Sequence, residues 1–154
     1  MISATHLHAM IIHFPIALIM IAFLSEIMSL FIKKDFFKNT AFYLLILGSL
    51  GVISAYFSGS FAGEGIDEGP LKIPMELHEQ AAVITLILAI ITALFKTTIF
   101  YFKQNANWAK WIGILLFTAL VGSVVRTGYL GGQVVYSHGA GVELALPDFN
   151  NLAE

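Results

Sequence analysis

Residues 9–32 read AMIIHFPIALIMIAFLSEIMSLFI, an apolar stretch long enough for an α-helix to cross the hydrocarbon core of a bilayer. Three further stretches of the same character lie at about 40–62, 80–102 and 109–131. Hydrophobic residues make up 58% of the chain and the mean hydropathy is +0.83, both outside the range of soluble domains. We therefore expect one all-α domain over residues 1–154, an integral membrane bundle of four helices.

Composition also excludes several classes of protein. The chain has no cysteine, which excludes disulfides, thiolate-ligated clusters and covalently attached c-type haem. No basic run or nucleic-acid motif is present, and we expect the lipid bilayer rather than nucleic acid as the partner. No nucleophile constellation or phosphate-binding loop points to a stand-alone enzyme.

The distribution of lysines predicts the orientation in the membrane. Lysines concentrate in the first and third connections between the apolar stretches, at Lys33, Lys34, Lys38, Lys96, Lys103 and Lys110. Because basic loops stay in the cytoplasm, we expect a multi-pass protein of the bacterial inner membrane with both termini outside. The glycine-rich tail after the fourth helix is expected to fold over the outer rim.

All five histidines then lie at the outer face, from three separate stretches: His6, His8, His13, His78 and His138. Histidine is a common ligand of metals and haem and a proton carrier near neutral pH. Helix rise places His13 and His78 at similar depths, and small residues near each predict that both face into the bundle. This clustering is the main indication of function.

Two other features of the apolar stretches permit more than one interpretation. Small residues at strict four-residue spacing form a ridge on the second helix, at Gly51, Ala55, Gly59 and Gly63. The ridge predicts either close helix packing or a surface for a flat porphyrin or quinone ring. Pro15 either opens the first helix or kinks it beside His13. Glu26 is interpreted as lysine-paired or protonated, or as a proton-uptake or subunit-contact residue.

Two motifs resemble those of a known family. The chain carries H-x-H-A-x-I-I-H-F-P at residues 6–15 and G-x-x-G-G-x-V-V-Y-x-H-G-x-G-V at residues 128–142. Together they resemble a family of four-helix bacterial membrane proteins called domain of unknown function two-two-three-one. The resemblance implies the four-helix architecture. The association of similar proteins with c-type cytochrome modules suggests redox work at the outer face, with a periplasmic c-type cytochrome or other membrane subunits as partners.

The leading hypothesis is a b-type haem bound between helices, with His13 and His78 as axial ligands. Gly51, Ala55 and Gly59 would accommodate the ring, and Arg126, Lys72 and Tyr129 would lie near the propionates. Such a protein would transfer electrons at the periplasmic face.

Two alternatives to haem remain. The first is zinc or copper held directly by His6, His8, His13, His78 or His138, with Glu76 or Glu79 as an oxygen ligand. The second is a structural or assembly subunit whose histidines cap helices.

Overall fold

The computed structural model describes residues 3–63, 68–104 and 106–142, and within these ranges the chain forms helices and turns without strands. The helices are α1 (Ala4–Ile11), α2 (His13–Phe31), α3 (Asp35–Ala62), α4 (Lys72–Tyr101) and α5 (Asn107–Tyr136). Since α1 and α2 together make one span, four helices are long and apolar enough to cross a membrane, which confirms the predicted fold class.

The spans extend beyond the apolar stretches at one end of the bundle. The first begins at Ala4 rather than near residue 9, the third at Lys72 rather than near residue 80, and the fourth continues to Tyr136. Backbone hydrogen bonds of a helix do not depend on apolar side chains, so polar turns can continue the helix past the hydrocarbon core. Hydropathy therefore underestimated the length of the helices.

Alternation of the spans gives the bundle two chemically different ends. One end, here called the histidine end, contains the starts of α1 and α4 and the ends of α3 and α5, and carries all five histidines. The opposite end, here called the lysine end, carries the two short basic connections around residues 32–34 and 102–106. The predicted gathering of the histidines at one end is thus confirmed.

The bundle is built from two helical hairpins. In the first hairpin α2 packs along α3 and α1 packs on the end of α3, while in the second α4 packs along α5. The hairpins meet through a core whose fully buried large side chains include Ile19, Leu45, Phe117 and Leu120. The rings of Phe23 and Phe117 join α2 to α5 at a centroid distance of 5.5 Å.

Apolar side chains also cover the outside of the bundle. Phe14, Leu24, Leu47 and Leu115 are each more than half exposed. Such a surface would aggregate in water but matches the acyl chains of a bilayer.

The break between α1 and α2 falls at Ile12 and follows from Pro15. Proline lacks the N–H that would bond the carbonyl of Ile11, so the helical ladder is interrupted there. Next to the gap, the N–H of Ile16 reaches the carbonyl of Ile12 over a long 3.4 Å. Of the two sequence interpretations of Pro15, the structure supports the interrupted helix.

The tail after α5 returns to the histidine end, as expected. Gly141 has a left-handed φ of 73°, and a Cβ atom there would lie only 2.6 Å from Cγ2 of Thr5 in α1. This close approach brings the tail against α1 at the histidine end. The final residues, 143–154, lie outside the described part of the chain.

Candidate functional site at the histidine end

His78 lies in the second turn of α4, half-buried against the end of α5. Its Nδ1 atom is 3.1 Å from the carbonyl oxygen of Thr127. A carbonyl oxygen can only accept, so Nδ1 carries the hydrogen and Nε2 keeps its lone pair. The edge of the imidazole lies on Gly131, where an added Cβ would approach Cε1 of His78 to 2.9 Å.

His8 lies in α1 in a closely similar setting against the end of α3. Its Nδ1 atom is 3.0 Å from the hydroxyl oxygen of Ser58. That hydroxyl donates its own hydrogen to the carbonyl of Ala55 at 3.0 Å, so it accepts from His8. A Cβ added at Gly59 would approach Cε1 of His8 to 2.9 Å.

The two settings are related as a repeat. The histidine precedes its glycine by 51 residues in the first hairpin (8 to 59) and by 53 in the second (78 to 131). In each case the Nδ1 hydrogen bond leads, directly or through Ser58, to the carbonyl four residues before the glycine. His8 belongs to the first hairpin and His78 to the second, and both lie at the histidine end. The fold therefore places one oriented histidine of each hairpin at the same end of the bundle.

His13 does not join this pair. It is exposed, and Nδ1 donates to the carbonyl of Ala9 at 2.6 Å, at the break between α1 and α2. The prediction that His13 faces the interior is wrong. Pro15 is the buried residue on this part of the span, and a Cβ added at Gly51 would lie 3.1 Å from Cβ of Pro15. The proline in the sequence HFP takes the inward position, and the histidine two residues earlier points elsewhere.

The remaining two histidines make local contacts. His6 is exposed and bonds Ser3 at the start of α1. His138 is exposed and bonds the carbonyl of Gln133 at the end of α5. Such contacts are the helix-capping roles considered as an alternative in the sequence.

The small-residue ridge of α3 serves close packing of the first hairpin. Gly51 faces Pro15 and Gly59 faces His8, with 3.1 and 2.9 Å between the position of an added Cβ and the nearest side-chain atom. Gly48, which precedes the ridge, faces Ile19 at 2.8 Å in the same way. Gly63 faces Met75 more loosely, at 3.8 Å. These contacts favour the packing interpretation of the ridge.

Two other predicted site residues lie near Thr127 on α5. Arg126 is exposed, and within the described ranges it forms no ion pair. Tyr129 is exposed, and its hydroxyl accepts from Nε2 of Gln133 at 3.0 Å. Among the described residues, neither side chain forms a hydrogen bond with the imidazole of His8 or His78.

Glu26 pairs with a lysine far from the histidines. Its Oε1 atom is 2.7 Å from Nζ of Lys96, and the two side chains are 7% and 16% exposed. The lysine-paired interpretation of Glu26 is confirmed.

A bundle of four spanning helices with a paired set of histidines at one end defines a small membrane protein with a candidate ligand site. The family model described as predicted membrane protein (DUF2231) matches residues 4–144, and the chain belongs to this family. Comparisons with curated proteins and with solved structures give no match.

The sequence carries only a weak signal for this role of His8 and His78. From the sequence, His8 is one of several alternative ligands of zinc or copper, and Gly131 is part of a motif. The missed signal was an internal repeat: each hairpin begins with a histidine and ends with a glycine a little over fifty residues later.

Proposed function

We propose that this protein binds a b-type haem at the histidine end, with His8 and His78 as axial ligands, and transfers electrons there. The observation that supports this proposal most is the repeat itself. Each hairpin supplies one imidazole whose Nδ1 is hydrogen-bonded, which fixes the ring and leaves the lone pair of Nε2 for iron.

The number of ligands favours haem over a directly bound ion. Structural zinc sites use four protein ligands and catalytic ones three, whereas a porphyrin supplies four nitrogens and needs two axial residues. Among the described residues no group of three or more His, Cys, Asp or Glu could hold a metal ion. Zinc or copper remains the second candidate and is distinguished below by experiment.

His8 replaces His13 as the first ligand because of the surroundings of each ring. His8 is half-buried and rests on Gly59, whereas His13 is exposed and bonds the carbonyl of Ala9 at the break after α1. The glycines under both rings permit the close approach of helix to imidazole that a larger residue would prevent.

Haem, when bound, supplies a one-electron couple between ferric and ferrous iron. The chain's own residues set its surroundings. Ser58 and Thr127 accept hydrogen bonds from Nδ1 and would orient the imidazoles toward the iron. Arg126 and Tyr129 lie within one turn of Thr127. The guanidinium of Arg126 would neutralise the charge of a propionate, and the hydroxyl of Tyr129 would form a hydrogen bond with one.

We place the histidine end at the periplasmic face of a bacterial inner membrane, because the basic connections favour the cytoplasm. One haem at this end cannot pass electrons across about 30 Å of hydrocarbon unaided. Exchange with a periplasmic c-type cytochrome or another membrane subunit is therefore the expected role.

The visible spectrum of the purified protein tests the proposal. A Soret band that shifts on reduction with dithionite is expected, and His8→Ala and His78→Ala should each abolish it. His13→Ala and His6→Ala are matched controls and should retain it. Colourless protein from haem-replete cells would overturn the proposal. Stoichiometric zinc or copper in that colourless protein would favour a directly bound ion. Protein that contains neither haem nor a metal ion would favour a structural subunit.

A further inference from the structure

A groove lies on the outside of the bundle, along the interface between α3 and α4. It extends from Ile46 to Ile53 on α3 and from Ile90 to Thr97 on α4, and its volume is about 230 Å³. The lining side chains are hydrocarbon apart from Ser49 and Thr97. Such a surface suits an acyl chain, because an apolar wall offers nothing to a polar ligand in return for its lost hydration.

The internal repeat relates this interface to another one in the bundle. Equivalent positions are 70 residues apart in α2 and α4 (8 to 78) and 72 residues apart in α3 and α5 (59 to 131). Contacts follow the same relation: Pro15 packs on Gly51, and their equivalents Thr85 and Ser123 are hydrogen-bonded at 2.7 Å. The interface of α4 with α3 is therefore equivalent to that of α2 with α5.

One position distinguishes the two interfaces. Ala93 lines the groove, and its equivalent in α2 is Phe23 (23 to 93). The ring of Phe23 packs on Phe117 of α5 at a centroid distance of 5.5 Å and contacts the core. A methyl group where the repeat has a phenyl ring leaves space between α3 and α4. The groove thus follows from a specific substitution within the repeat.

Two lysines lie where this interface reaches the lysine end. The rings of Phe42 and Phe100 stack across the interface at a centroid distance of 4.1 Å. Lys38, in the first turn of α3, is four residues before Phe42, and Lys103 is three residues after Phe100. Residues three or four apart in a helical turn are neighbours, so both lysines lie next to the stacked rings. Both are exposed.

The groove lies at the depth of the acyl chains in the same leaflet. It begins about 9–12 Å from the lysines along the two helices, at 1.5 Å per residue (97 to 103 and 38 to 46). Half of the hydrocarbon core is about 15 Å deep. A phospholipid with its phosphate near the lysines would therefore place an acyl chain in the groove.

We propose that one anionic phospholipid binds along α3 and α4, with its phosphate near Lys38 and Lys103 and an acyl chain in the groove. The charge at this end favours an anionic headgroup, because the described residues there include five exposed lysines and one exposed carboxylate, Asp35. The lipid contacts one helix of each hairpin and so stabilises their association.

Competition between two lipids tests the headgroup contact. Delipidated protein in neutral detergent is given equal amounts of phosphatidylglycerol and phosphatidylcholine, and the bound lipid is counted by native mass spectrometry. Wild-type protein should bind one phosphatidylglycerol with about a thirtyfold preference, the factor for two lysines at about 1 kcal/mol each. Lys38→Gln with Lys103→Gln should remove this preference.

The repeat supplies the matched control for charge. Lys110 and Lys33 are the equivalents of Lys38 and Lys103 (38 to 110 and 33 to 103), at the interface that contains Phe23. Lys33→Gln with Lys110→Gln removes the same charge from the same end and should leave the preference unchanged. Equal losses in the two double variants, or no preference in wild-type protein, overturn the proposal, since the lysines would then attract headgroups without a site.

Filling the groove tests the acyl-chain contact. Ala93→Phe places in α4 the ring that Phe23 places in α2, and should lower the bound phospholipid about tenfold, because two methylene groups kept from burial already correspond to that factor. Ala119→Phe adds the same ring at an exposed position of α5 outside the groove and should bind lipid as wild type does. Unchanged binding in folded Ala93→Phe overturns the proposal.

The lysine variants decide the question if Ala93→Phe does not fold, since all four lysines are exposed. A quinone, or a second copy of the chain, bound in place of the phospholipid would also overturn the proposal. The competition requires no haem, so its result does not depend on the visible spectrum.

Discussion

Replacing Gly131 by alanine puts a methyl group against the imidazole of His78. The added Cβ would lie 2.9 Å from Cε1, and ordinary contact begins near 3.4 Å, so the ring must move by at least about 0.5 Å (3.4 − 2.9). Such a shift weakens the hydrogen bond from Nδ1 to the carbonyl of Thr127. Overpacking of this kind costs about 1–3 kcal/mol.

Gly128→Ala is the matched control, on the same helix and three residues earlier. No atom lies within 4 Å of a Cβ added there. Alanine is the better helix former by about 1 kcal/mol, and this gain is common to both variants. The difference in stability between Gly131→Ala and Gly128→Ala should therefore isolate the overpacking, at about 1–3 kcal/mol.

The assay is reversible unfolding in mixed micelles, followed by the haem content of each variant. We expect Gly131→Ala to be the less stable of the two and to bind haem less well, since the shifted ring no longer directs Nε2 as before. Equal unfolding free energies in the two variants would refute the packing argument. A destabilised Gly131→Ala with an unaltered spectrum would instead show that the ring position does not matter to haem.

Three further predictions concern the rest of the bundle. Glu26→Ala should destabilise the protein by about 3–5 kcal/mol, because Lys96 is left charged in a nearly buried position, and adding Lys96→Met should recover much of this in micelle unfolding. The chain has no cysteine, so single cysteines can report the orientation of the protein in the membrane. His138→Cys should react with an impermeant maleimide in intact cells, and Lys103→Cys should react only after lysis. The opposite pattern would show that the histidine end faces the cytoplasm. Phe117→Ala should cost about 3–5 kcal/mol because the ring is fully buried, and a loss below 1 kcal/mol would contradict the described core.

The sequence by itself determined the number of spans and the gathering of the histidines. Both follow from local properties: a run of about 20 apolar residues must form a helix in a bilayer, and successive spans must alternate in direction. The pairing of Glu26 with a lysine was also accessible, because an isolated carboxylate in an apolar stretch needs a partner.

Only the tertiary structure decided whether His8 or His13 lies against α3. His8 and Pro15 are seven residues apart and share one face of the span, whereas His13 is turned by about 140° from His8 at 100° per residue. Ile12 keeps helical φ and ψ of −60° and −26°, so this face continues past the missing hydrogen bond. Which face meets α3 depends on packing: Pro15 lies against Gly51 and His8 against Gly59, and His13 remains outside. The placement of His8 and His78 at one end likewise depends on the packing of two hairpins that are distant in the chain.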